Sequence, residues 1–321
     1  TVAALGIAQT LAWASTYYLP AMLAAPIGRD LGIATSTVFA AFSAALLLSA
    51  VLGPYAGRTI DRWGGRPVLA ATSLVFAAGL AAMSLAQGPV GLFGAWLVMG
   101  VGMGCGLYEA AFAALVRRYG NDARGAITGI TLIAGFASTV GWPLSTALEA
   151  LWGWRGACLT WAALHLLVGL PLNLMLPKVD RTSTTNTSTH RSDADPATPI
   201  PSEPRSSAPT VGPGTTVLLS FAFAVTWFIS TAMAAHLPRL LESLGASLTA
   251  AVAAGALIGP AQVGARLLEF GLIRSVHPLW SARAASLAHP AGAVLLLAVG
   301  APGAAAFALM HGAGNGILTI A

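Results

Sequence analysis

Glu109 stands in an apolar run, GLYEAAFAALVRR, eight residues before Arg117. At about 1.5 Å per helical residue that is about 12 Å of depth. The other acidic residues fall in polar stretches or near the ends of apolar ones. A carboxylate inside hydrocarbon is costly, and desolvation favours its protonated form. Glu109 is therefore a candidate for proton coupling or substrate binding, with its neighbour Tyr108. The competing reading is a protonated Glu hydrogen-bonded to the next helix.

A second set lies in QTLAWASTYYLP. Gln9, Trp13 and Thr16 share one helical face with Tyr17 beside it, a polar and aromatic stripe suited to a central cavity. Near the other end His311 and Asn315 sit among glycines as further cavity candidates, while His165, His236 and His289 read as structural histidines. No two histidines have metal-ligand spacing, and no phosphate loop or nucleophile elbow occurs. The two cysteines, Cys105 and Cys158, sit in apolar runs and read as buried small residues. The expectation is a protein that is not an enzyme and uses no metal or cofactor.

The elements that must position these residues follow from composition. Charged residues make up 8% of the 321 and apolar ones 56%, against about 25% charge in an ordinary soluble domain. Such a chain cannot cover a soluble core, and reads as an all-α integral membrane protein. Ten apolar stretches are long enough to span: 2–26, 35–56, 67–87, 91–116, 125–148, 156–176, 215–240, 247–270, 284–300 and 303–321. Residues 177–214, rich in Ser, Thr, Pro and Asp, read as a disordered linker between an N-terminal bundle, 1–176, and an incomplete C-terminal one, 215–321.

With the N-terminus cytoplasmic, the inner loops hold Arg58, Arg62 and Arg66, then Arg117, Arg118 and Arg124, then Lys178, Arg181, Arg191 and Arg205, then Arg266, Arg274 and Arg283. Only Arg29, Arg155 and Arg239 fall on the other side. This bias is the positive-inside pattern. It explains the net charge of +5 through membrane lipids rather than nucleic acid.

The two halves repeat. LLLSAVLGPYAGRTID (46–61) parallels VAAGALIGPAQVGARLLE (252–269), pairing Gly53-Pro54 with Gly259-Pro260, and Arg58 and Asp61 with Arg266 and Glu269. GVGMGCGLYEA (100–110) parallels HGAGNGILTIA (311–321). Repeated halves are a transporter design.

GRTIDRWGGR (57–66) resembles the loop 2–3 signature of the major facilitator superfamily through Gly57, Asp61, Arg62, Gly64 and Arg66; Gly65 stands where Arg is often found. Arg124-Gly125, Gly129, Gly135 and Gly141-Trp142-Pro143 resemble the fifth helix of monocarboxylate and oxalate/formate carriers. The resemblance implies twelve helices, so ten suggest a C-terminally shortened chain. It implies alternating access without ATP in a bacterial inner membrane, and a gating latch in which Asp61 meets helix 11, with Arg266 and Glu269 as the second-half counterpart. A monomer is expected, moving a small organic solute or anion with protons. Proton-linked efflux of amphipathic compounds, or a receptor on the same scaffold, are the alternatives.

Overall fold

Backbone polar groups without water must bond within their own segment, and this chain does so as helices. The computed structural model describes residues 1–177, 212–271 and 278–318, with no strand among them. The 177–214 stretch therefore lies largely outside the described residues. Among the described residues seven helical runs are long and apolar enough to cross a membrane. One of them, Ala123–Leu174, covers two of the expected stretches.

Several expected helices are broken. The first divides into α1 (Val2–Thr16) and α2 (Leu19–Leu31), with Pro20 in the first turn of α2. After α3 (Thr35–Trp63) and α4 (Gly65–Ser84), the next divides into α5 (Pro89–Gly106) and α6 (Tyr108–Tyr119) at Leu107, which is extended. The carbonyl of Gly106 at this break accepts a 2.7 Å bond from Gln9 Nε2. Then come α7 (Ala123–Ala134) and α8 (Ala137–Leu164), the latter kinked at Gly153 with φ +67°, a region that glycine enters without steric cost. A short α9 (Leu170–Leu174) ends this half.

The second half holds α10 (Pro213–Ser243), α11 (Leu248–Ala256), α12 (Ile258–Gly271), α13 (Pro278–Val299) and α14 (Ala304–Leu318). Pro260 has no N–H for the Ala256 carbonyl. Thr139 Oγ1, on α8 of the first half, donates to that carbonyl at 2.7 Å instead.

The repeat is visible in packing. Gly100 and Gly104 of α5 lie against Ala45 and Ser49 of α3, while Gly102 and Gly106 lie against Phe76 and Thr72 of α4. In the second half Gly312 and Gly316 of α14 lie against Ile258 and Gln262 of α12, and Gly314 against Ala285 and His289 of α13. Alternate glycines thus serve two neighbours at once, and small residues let the helix backbones approach.

The two halves close on each other at one end. Trp142, fully buried, packs with Ala21, Leu237, Leu241 and Val252, and a Cβ on Gly255 would collide with its ring. The opposite end carries the 57–66 turn. Gly64 there has φ +87° and ψ 159°, a conformation essentially restricted to glycine. Gly65 is buried against Ala114 of α6 with no room for a side chain, which accounts for the missing arginine.

Candidate functional site

Between the halves lies a cavity of about 80 Å³. Its first-half wall is Trp13, Tyr17, Tyr18 and Tyr108, set at the α1–α2 and α5–α6 breaks. Trp13 touches both Tyr17 and Tyr108, each with ring centroids 4.7 Å away. The second-half wall is a face of α10, including Thr226, Trp227, Ser230 and Thr231, with Gln262, Arg266 and Asn315.

Arg266 dominates the chemistry. Its side chain is 3% exposed. Nε donates to the Gly316 carbonyl at 3.2 Å, and Nη1 donates across the halves to the Thr131 carbonyl of α7. The Tyr108 hydroxyl lies within hydrogen-bonding reach of the guanidinium. No carboxylate pairs with it among the described residues: the ion pair recorded there is Arg155 with Asp30, at 3.0 Å. A buried guanidinium satisfied by neutral oxygens keeps its full charge available to an anion. Trp13 Nε1 is also buried without a partner, a second donor at the same wall.

These positions correct part of the sequence reading. Arg266, expected in an inner loop beside a latch, is inside α12 and lines the cavity. Gln9, expected to line it, is spent on the α5–α6 break. Thr16 is fully buried and bonds back to the Ala12 carbonyl at 2.7 Å. Glu109 lies on the outer surface of the first turn of α6 and does not line the cavity. Trp13, Tyr17, Tyr108 and Asn315 do line the cavity. His311 sits behind Asn315, with Nε2 facing Asn315 Nδ2 at 3.2 Å and Nδ1 at 2.9 Å from Nδ1 of His289, a pairing the sequence reading did not anticipate. Glu269 faces Ser281 of α13.

The model of the Major Facilitator Superfamily matches residues 5–321. The chain belongs to the major facilitator superfamily.

Solved structures agree on the fold. A D-xylose–proton symporter superposes with a TM-score of 0.62 at 15% identity, over 98% of this chain and 79% of that one. A mutant of the nucleoside transporter NupG gives 0.68 at 12%, over 99% and 81%. A bacterial homologue of the human lysosomal transporter Spinster, inward-facing and occupied, gives 0.66 at 17%, over 98% and 72%. A curated relative, an uncharacterized 38 kDa protein encoded in a 23S RNA operon of Thermoproteus tenax, is 33% identical over 156 residues. That alignment covers 48% of this chain and 40% of the relative, so the chain matches well under half of the relative's length.

Of the residues that resemble the superfamily signature, Gly57, Asp61 and Arg62 lie in the last turns of α3, Gly64 at the junction and Arg66 in the first turn of α4. Asp61 and Arg62 are exposed, and Asp61 makes no hydrogen bond or ion pair among the described residues. Arg62 lies over the Trp63 ring at 5.2 Å, and Arg66 is half-buried. The C-terminal end of α3 is instead held by Arg117 of α6, whose Nη1 donates to the Ile60 carbonyl at 3.2 Å.

Proposed function

We propose that this chain is the core of a secondary carrier that moves a small organic anion by alternating access, with Arg266 holding the anionic group. The observation that carries this reading is a buried guanidinium at the inter-half cavity with no carboxylate partner. An ionisable group at that depth is functional by default, and a site between repeated halves is where a rocking carrier binds its cargo. Tyr108 and the Trp13 indole N–H add donors, and the surrounding rings favour a planar or apolar body. Energy would come from an ion gradient. The carrier would lie in the bacterial inner membrane as a monomer, with N-terminus and linker cytoplasmic, and the 57–66 turn would serve as its gating motif.

The test is uptake into proteoliposomes of radiolabelled benzoate and lactate, with benzamide and lactamide as neutral controls. Wild type is expected to accumulate an acid and ignore its amide. Arg266→Gln should weaken carboxylate binding by about ten- to a hundred-fold, the loss of one charge-assisted bond. Equal treatment of acid and amide by wild type would overturn the anion reading. Extrusion of a cationic dye without carboxylate flux would replace it with efflux of amphipathic compounds.

A further inference from the structure

Behind the cavity wall a chain of side chains leads into the second half. Ser230 Oγ on α10 donates to Asn315 Oδ1 on α14 at 2.6 Å. Asn315 Nδ2 faces His311 Nε2 at 3.2 Å. His311 Nδ1 faces His289 Nδ1, on α13, at 2.9 Å. His311 is 2% exposed and His289 8%. The Phe307 ring stacks on His311 at 5.5 Å between centroids. Ser230 and Asn315 line the cavity, whereas the two histidines do not.

Hydrogen-bond bookkeeping fixes the protons. With Asn315 Oδ1 accepting from Ser230, its amide NH₂ donates to His311 Nε2. A neutral imidazole has one donor and one acceptor nitrogen, so His311 carries its proton on Nδ1 and donates it to His289 Nδ1. His289 then carries its proton on Nε2, and that atom is buried without a partner. Each of these three bonds then has one donor and one acceptor, and turning the Asn315 amide over reverses all three in order.

We propose that His289 and His311 form a proton-binding site of the carrier, and that Asn315 and Ser230 carry its occupancy to the cavity. A proton from cavity water bonds to His311 Nε2, giving the pair one positive charge shared across the Nδ1–Nδ1 contact. Asn315 turns over, so that Oδ1 accepts the new N–H and NH₂ donates to Ser230 Oγ. The Ser230 O–H is thereby released toward the cavity, where it becomes a donor to cargo.

The surroundings set the coupling. Arg266 of α12 donates to the carbonyl of Gly316, the residue after Asn315, and its charge opposes a second positive charge nearby. Glu269, also on α12, is turned to Ser281. Arg283 of α13 is exposed over the Trp280 ring. The segment α11 has no ionisable side chain, and α10 carries His236 against Phe39, with Arg239 and Glu242 beyond it. The described carboxylates leave both histidines unpaired. An anion on Arg266 cancels the opposing charge, so proton and anion bind together; this coupling, unlike the proton site itself, rests on the anion reading above.

The full chain, labelled with [15N]histidine in lipid bilayers, decides the matter by nitrogen NMR. Two rings should titrate as one coupled unit in two steps more than about one pH unit apart. Replacing either partner, His289→Gln or His311→Gln, should collapse this to a single step, and Asn315→Leu should alter the His311 tautomer. Two rings titrating independently, each blind to the other's replacement, would overturn the proton site. Benzoate is then added with a pH indicator. Wild type should take up protons on binding, and the His311→Gln variant should bind without uptake. Benzoate binding with no uptake in wild type overturns the coupling. A coupled titration in a chain that never binds benzoate keeps the proton site and sinks the anion reading instead.

Discussion

Trp13 lines the cavity and its indole N–H is buried without a partner, and an unpaired buried donor costs on the order of 1–3 kcal/mol. Trp13→Phe keeps a ring and removes that donor. The variant should be as stable as wild type or more so, while carboxylate affinity falls, as thermal melting and equilibrium binding on one preparation would reveal. A matched loss of stability and affinity would make the indole structural. Arg266 was less legible in the sequence. It lies five residues from the end of α12, where an arginine reads as an interfacial anchor, and its depth depends on α12 starting afresh after the Leu257 break. The His289–His311 contact joins two helices through side chains 22 residues apart, and nothing local announces it. The α10 stripe of Thr226, Trp227, Ser230 and Thr231 had a signal that went unused: polar residues at i, i+1, i+4 and i+5 in an apolar helix.

At the scale of elements the glycines carried more information than the charges. Gly100 and Gly104 lie on one face of α5 and Gly102 and Gly106 on another, and each face has its own neighbour. Gly104→Val would drive a branched side chain into the Ser49 backbone. It should destabilise the α3–α5 contact by about 1–3 kcal/mol, the usual cost of overpacking, and Gly316→Val should do the same against Gln262. Each is measurable as a lower melting temperature in detergent; unchanged melting for both would mean that α5 and α14 can shift to make room. The breaks at Tyr17–Tyr18 and Leu107 were not legible, since apolar periodicity runs across them without interruption.

For the whole molecule, the contact of Thr139 with Ala256 and Gly259 ties the halves at the end away from the 57–66 turn. Alternating access requires that tie to open. Thr139→Cys with Gly259→Cys, in a background where Cys105 and Cys158 are serine, puts two thiols at this contact, where a Cβ on Gly259 meets Thr139 Oγ1 and the Gly135 carbonyl and the helices must part slightly to take it. Oxidation should arrest flux, and a reductant should restore it. Undiminished flux through the oxidised, crosslinked protein would show that this end never separates. The membrane class, the repeat and the superfamily were legible because they rest on composition and on patterns spread along the chain. The cavity was legible only in part, because its second wall is assembled from three helices whose facing sides depend on packing.

Gln9 gives the extended residue at Leu107 a further meaning. An unbroken helix turns about 100° per residue, so glycines packed on α3 and α4 would dictate the azimuth of Tyr108 as well. One extended residue, with the leftover carbonyl of Gly106 before it capped by an amide from α1, resets the phase between α5 and α6. The upper segment can keep its packing register while the lower one is aimed on its own. The break is a rotary joint, and the direction in which the cavity's tyrosine points is a setting separate from the fit of the helices that carry it.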